Sequence, residues 1–201
     1  MAFAATPLPL SRIMVIGDSI QAGTKLKNAH DLATHRLQRY GNVVVHNFSS
    51  PGAAMVDRPF LPGMNHARES VSLLDGFFGI EGVLITVGSN DWGASVPVRV
   101  FGSVYAAFID AIPARIKVAC MGPTWSIGEG AANANGETKA DFRAMVAEVC
   151  AARGAAVLDA LAAIPHDPAY FADGVHPNRR GHRAMGDFFI HELRKLGWIA
   201  T

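Results

Sequence analysis

The stretch that decides the fold is "RIMVIGDSIQAG", residues 12–23. After Arg12 it runs apolar through Ile13, Met14, Val15 and Ile16, then reaches Gly17, Asp18 and Ser19. A short run that is apolar on successive residues is what a strand covered on both faces requires. Gly, Asp and Ser are turn residues, so the stretch reads as a strand running into a turn. It also permits a sharper reading, in which Ser19 is a nucleophile carried to the end of a strand.

Four further runs share the character of the first: "NVVVHNF" (42–48), "GVLITVG" (82–88), "RIKVACMG" (115–122) and "AAVLDA" (155–160). Between and after them lie segments with helical periodicity and end signals. "NAHDLATHRLQRYG" (28–41) offers Asn28 as a cap and ends in Gly41, and "HARESVSLLDGFF" (66–78) follows the second strand. "VPVRVFGSVYAAFIDAI" (96–112) places Pro97 in its first turn. "GETKADFRAMVAEVCAARG" (136–154) and "NRRGHRAMGDFFIHELRKLG" (178–197) each close on a glycine. Five strands alternating with helices predict one α/β domain over 1–201 with a parallel sheet, preceded by a short arm at 1–11.

Composition agrees. Half of the 201 residues are hydrophobic and 17% are charged, which is globular rather than disordered. The formal net charge of +1 gives no global electrostatic reason to expect nucleic acid as a partner. No apolar run approaches the roughly 18 residues of a membrane span. The N-terminal "MAFAATPLPLSR" has no basic n-region and two prolines, so it reads as an arm and not a secretory signal. A cytoplasmic location is the expectation, or a periplasmic or secreted one if a signal has been removed. Cys120 and Cys150 show no metal-ligand spacing and are expected to be small buried hydrophobes; a disulfide between them is not expected in a cytosolic protein.

Four short motifs fall where strands should end. They are "GDSI" after the first, "NFSSPGAAM" with Gly52 after the second, "VGSNDWG" with Asn90 and Asp91 after the third, and "DGVHPNRRGH" with Asp173 and His176 after the fifth. Parallel strands end at one edge of a sheet, where ligands bind in such folds. The residue types then define a chemistry. A serine hydroxyl needs a base to become nucleophilic, an imidazole titrates near neutral pH, and an acid holds the imidazole tautomer. Ser19, His176 and Asp173 supply these parts. A tetrahedral intermediate also needs oxyanion donors, and the candidates are the Ser19 and Gly52 backbone N–H groups and the Asn90 amide.

Together, Gly17-Asp18-Ser19, Gly52, Gly88-Ser89-Asn90-Asp91 and Asp173-Gly174-Val175-His176 resemble the SGNH hydrolases, also called the GDSL esterases and lipases. The motifs stand in family order across residues 17–176. Ile20 takes the place of the usual Leu. The resemblance implies a flavodoxin-like three-layer α/β/α sandwich with strand order 2-1-3-4-5. It implies ester hydrolysis through an acyl-serine, with no metal or organic cofactor. The substrate is then a small-molecule or carbohydrate ester, and the oligomeric state is not implied.

Asp18 and Asp91 read as structural, Asp18 as a cap or a loop hydrogen-bonding group. Trp92 and Trp125 are candidate pocket walls, against the equal alternative of packed loop aromatics. His182 is expected inside the last helix, facing the sheet or solvent. Arg179 and Arg180 read as a solvated face or as an anion contact. The loop "PTWSIGEGAANAN" (123–135) is small, polar and flexible in composition and offers no long apolar groove. That favours short acyl groups, especially acetyl esters on carbohydrate, over long-chain lipid esters; an acyltransferase using the same triad is the alternative.

Overall fold

The computed structural model describes residues 8–57, 74 and 79–201. Its sheet has five parallel strands in the order 2-1-3-4-5: β1 (Arg12–Gly17), β2 (Val44–Ser49), β3 (Gly82–Thr86), β4 (Lys117–Cys120) and β5 (Ala156–Val157). The helices are α1 (Ser19–Ala22), α2 (Ala33–Gly41), α3 (Ser89–Gly93), α4 (Val98–Asp110), α5 (Lys139–Ala151) and α6 (Arg179–Lys195). The helix expected over 66–78 lies outside the described residues except for Leu74.

Period-two alternation along β1 builds two cores from one strand. Ile13 and Val15 join one cluster with Leu37 of α2 and Met185, Phe189 and Leu193 of α6. Met14 and Ile16 join the other, with Phe101, Tyr105 and Phe108 of α4 and Phe142 and Val146 of α5. The sheet thus lies between helices on both faces, the three-layer arrangement that the sequence predicts.

Local differences have local causes. The helix read from residue 28 onward is split: Asn28 caps a 3-10 turn at Ala29–Asp31, and α2 starts after Leu32. α2 ends at Gly41, as expected, and the left-handed residue that caps it is Asn42 (φ 51°). Pro97 precedes α4 as its cap instead of lying in its first turn. The fifth strand shrinks to two residues because Asp159 accepts the Leu161 N–H at 2.9 Å and turns the chain away. Asn178 caps α6 through the Arg180 and Gly181 N–H groups, and Thr138 and Asp141 form a capping box at α5.

The cysteines depart from the expectation. Both are buried, as predicted, but they form a disulfide that links the end of β4 to α5. They are 30 residues apart, and only the packing of α5 on the sheet brings them together.

Candidate active site

Each motif reaches the same edge of the sheet because each follows a parallel strand. Ser19 is the first residue of α1, directly beyond β1. Gly17 must be a glycine: a Cβ there would come within 2.5 Å of Thr86 Oγ1 on the neighbouring strand and 2.7 Å of the Gln21 side chain. Asp18 caps α1, its Oδ1 accepting the Ile20 N–H at 2.9 Å. The turn therefore presents Ser19 half-buried at the surface with Asp18 sealed beneath it.

His176 Nε2 lies 3.0 Å from Ser19 Oγ. On the other side of the ring, Nδ1 lies 2.9 Å from Asp173 Oδ2. Asp173 Oδ1 also accepts the His176 and Val175 backbone N–H groups at 2.8 and 3.2 Å. Those bonds wrap residues 173–176 around the carboxylate, with Gly174 at φ 86°. They hold its pKa down at about 2, the His176 N–H contributing most, so it is ionised throughout the neutral range. The turn is braced by an isolated bridge between Phe171 and Pro177 and by Ile127 N–H donating to Gly174 O at 2.8 Å. An oriented imidazole between an ionised carboxylate and a serine hydroxyl is the arrangement that can remove the hydroxyl proton.

Gly52 lies in the turn after β2 at φ 81°. The Asn90 amide, in α3, donates to Ala53 O at 2.8 Å. Asp91 is fully buried and faces the same turn: its two carboxylate oxygens accept the Met55 N–H at 3.1 and 3.0 Å, and Oδ1 accepts the Val56 N–H at 3.0 Å. Asn90 and Asp91 thus grip the Gly52 turn from two sides. Sequence reasoning reads Asp91 as structural and does not identify what it holds; an acid next to the motif asparagine was the only local signal.

Asp18 is pushed up to about 6, chiefly by burial; the Ile20 N–H and the charge of His176 oppose that shift, and Asp91 adds to it. His182 is buried and pushed down to about 4, again chiefly by burial. Its Nδ1 lies 3.4 Å from the Ala33 backbone nitrogen at the start of α2, so the ring is inside the fold and not in solvent.

The tryptophans are packed. Trp92 donates to Glu137 O at 3.1 Å and carries the Lys139 ammonium 4.8 Å from its ring centroid. Trp125 stacks on His166 at 5.3 Å and tilts against Phe171 at 5.2 Å. The loop at 123–135 is not loose, as its composition implies. Arg143 holds Pro123 O at 3.0 Å and pairs with Glu129, Lys139 bonds Ser126, and Asn135 reaches Ser95 O at 2.7 Å. Two apolar side chains stay outside: Ile127, packed by Gly174, is 53% exposed and Val175 is 44% exposed, so an apolar rim flanks the His176 turn.

The profile of the GDSL-like lipase/acylhydrolase family matches residues 15–184, and the chain belongs to that family. It is an ester-hydrolysing enzyme of the SGNH type. Among solved structures, it is similar to a carbohydrate acetylesterase family member from Sinorhizobium meliloti, with 16% identity and a TM-score of 0.75 over 94% of this chain and 99% of that one. It is also similar to the lipase/acylhydrolase from Enterococcus faecalis, with 23% identity and a TM-score of 0.72 over 95% and 98%. A psychrotrophic esterase from Pseudoalteromonas sp., inhibited by monoethylphosphonate, shares 18% identity at a TM-score of 0.73 over 92% and 98%. No sequence among curated proteins matches the chain. Among the described residues, no helix is long and apolar enough to cross a membrane, and no group of three or more His, Cys, Asp or Glu is placed to hold a metal ion.

Proposed function

We propose that the protein is a serine esterase acting on short acyl esters, acetyl esters of carbohydrate foremost. The observation that carries this reading is the unbroken relay from Asp173 through His176 to Ser19, with separations of 2.9 and 3.0 Å. Ser19 Oγ attacks the ester carbonyl as His176 Nε2 takes its proton, and Asp173 stabilises the imidazolium. The Ser19 and Gly52 N–H groups and the Asn90 amide receive the oxyanion. Collapse of the intermediate breaks the ester C–O bond, and the proton held by His176 passes to the departing alcohol. Water then attacks the acyl-serine with His176 again as base, releasing the carboxylic acid and restoring Ser19.

The preference for short acyl groups rests on the pinned 123–135 loop. An acyl group meeting Ile127 and Val175 finds an apolar rim of two side chains, enough to cover a short chain. Trp92 and Trp125 remain our candidate pocket walls, Trp125 being adjacent to the His176 turn through Phe171. The whole chain, 1–201, acts as one unit in this reading. The Cys120–Cys150 disulfide favours an oxidising compartment, periplasmic or extracellular, over the cytoplasm.

A panel of p-nitrophenyl esters of graded length beside acetylated sugars tests the substrate. Highest kcat/KM on acetyl esters supports the proposal, and a preference for acyl chains of about eight carbons or more reverses it. Product analysis with an added alcohol separates hydrolysis from acyl transfer, the same residues serving both.

A further inference from the structure

α2 and α6 enclose a concave pocket of about 470 Å³, lined by none of the triad residues, whose charge is one-sided. Arg36 and Arg39 face it from α2, Arg179, Arg180 and Arg183 face it from α6, and Asp31 is the one carboxylate in its lining. The spacing explains the convergence. Positions three and four apart share a helix face, and both arginine sets have that spacing. His30, His35 and Tyr40 complete the wall.

The described residues neutralise this cluster only in part. Asp31 pairs with Arg179 at 3.0 Å, and Asp187, on α6, pairs with Arg36 at 2.7 Å. Among the described residues, Arg39, Arg180 and Arg183 have no carboxylate partner. Like charges on one helix face are destabilising. The three on α6 are misplaced a second time, because they crowd its first turns, where the helix dipole repels cations and attracts anions. In a chain whose net charge is only +1, so local an excess is not a by-product of composition. The α2 arginines are also pre-positioned: the guanidinium carbons of Arg36 and Arg39 lie 4.7 and 5.4 Å from the Tyr40 ring centroid. Asn178 already occupies the Arg180 and Gly181 N–H groups, so the guanidinium forks are the donors left to a ligand.

The geometry points to a binding site for a multivalent oxyanion of phosphate or sulfate type, carried by a soluble small molecule, in this arginine pocket. Guanidinium forks bind such groups bidentately, the volume suits a small ligand, and an anion there would relieve the repulsion that the fold sustains. The site is distinct from the Ser19 relay and goes beyond ester cleavage.

Isothermal titration of the intact protein with sodium pyrophosphate, in about 0.15 M salt, tests this. We expect one saturable site with Kd below about 1 mM. The Arg180→Ala/Arg183→Ala double variant should weaken binding at least ~10-fold, while Arg99→Ala, on a different helix, should leave it unchanged. Without ligand, the double variant should melt no lower than the parent, because it removes repulsion only; this reads the cluster even if titration heats are small. Pyrophosphate should raise the Tm of the parent and not of the double variant. Absence of both a saturable heat and a Tm rise, or equal binding by the double variant, would overturn the proposal. So would binding to vesicles of anionic phospholipid without any response to pyrophosphate, since that assigns the cluster to a membrane surface.

Discussion

The two sides of the candidate site are built in opposite ways. The acid–base side is local: Asp173 and His176 are three residues apart, and the carboxylate organises its own turn through the Val175 and His176 N–H groups. It is also at the surface, with the Asp173 side chain 35% exposed. The side proposed to receive the oxyanion is assembled at long range on a buried support. Asp91 reaches Met55 and Val56 across 36 and 35 residues and is fully buried, and Asn90 reaches Ala53 across 37. A local exposed device can be altered without disturbing the fold. A buried carboxylate that holds a distant loop has structural and catalytic consequences tied together.

Ser19, where the two sides meet, gives the largest effect. Ser19→Ala should lower kcat on a short p-nitrophenyl ester by roughly 10⁴ to 10⁶ and abolish labelling by a fluorophosphonate probe. Retention of a tenth of the activity would remove Ser19 from the nucleophile's role. Next, Asp173→Asn should lower kcat by about 10² to 10⁴, because the imidazole loses its tautomer control and the charge that stabilises the imidazolium. Its Tm should move little, since the carboxylate is exposed and an Asn can still accept the turn's N–H bonds. A large fall in Tm would break the contrast between a local and a global device.

Asp91→Asn tests the other half. The carboxylate accepts the N–H groups of both Met55 and Val56, and an amide would turn a donor toward one of them. Loss of one charge-assisted hydrogen bond in a buried site costs about 1.5–3 kcal/mol, or roughly 3–12 °C in Tm for a chain of this size. Displacement of the Gly52 turn should lower kcat about tenfold, with KM changing less. Thermal denaturation and steady-state kinetics on the same preparation measure both. If kcat falls and Tm does not, Asp91 is not the post that carries the turn.

The same contrast governs what the sequence made legible. Strand number and the Asp173–His176 pair were readable, because each depends on nearby residues: apolar runs, turn signals, a three-residue spacing. Strand order came only with the family resemblance, because pairing such as that of β1 with β3 joins residues about 70 apart. The partners of Asp91 were not, because nothing at position 91 encodes the register that brings Met55 and Val56 to it. Cys120 and Cys150 failed for the same reason, each reading correctly as buried while their meeting depended on how α5 lies on the sheet. The 123–135 loop misled in a different way. Its glycines and asparagines read as freedom, but the groups that pin it, Lys139 and Arg143, come from the helix that follows. The arginine pocket was visible only in part, since Arg179-Arg180 lacked a counterpart until α2 was laid against α6.

Asp18 lies beneath the nucleophile and is coupled to both halves: its carboxyl feels the charges of His176 and of Asp91. Its carboxyl is shifted from 3.8 to about 6 by burial, so the folded protein holds a proton there that the unfolded chain gives up. With the folded value raised, its contribution to stability is fully present below about pH 4 and is lost as pH rises through about 6. His182, pushed down to about 4, acts with the opposite sign in an overlapping window: its contribution is present above about pH 6.5 and lost as pH falls toward 4. The parent's stability against pH mixes the two, so the variant is what separates them. Asp18→Asn keeps a group that can accept the Ile20 N–H but cannot ionise. The stability difference between parent and variant should therefore shift by about 2–3 kcal/mol between pH 4 and 7, with the parent relatively better at pH 4. Urea denaturation at four pH values across that range measures it. A difference that stays constant would mean that Asp18 is ionised in the folded protein as readily as in the unfolded chain, and the seal beneath Ser19 would then be open to water.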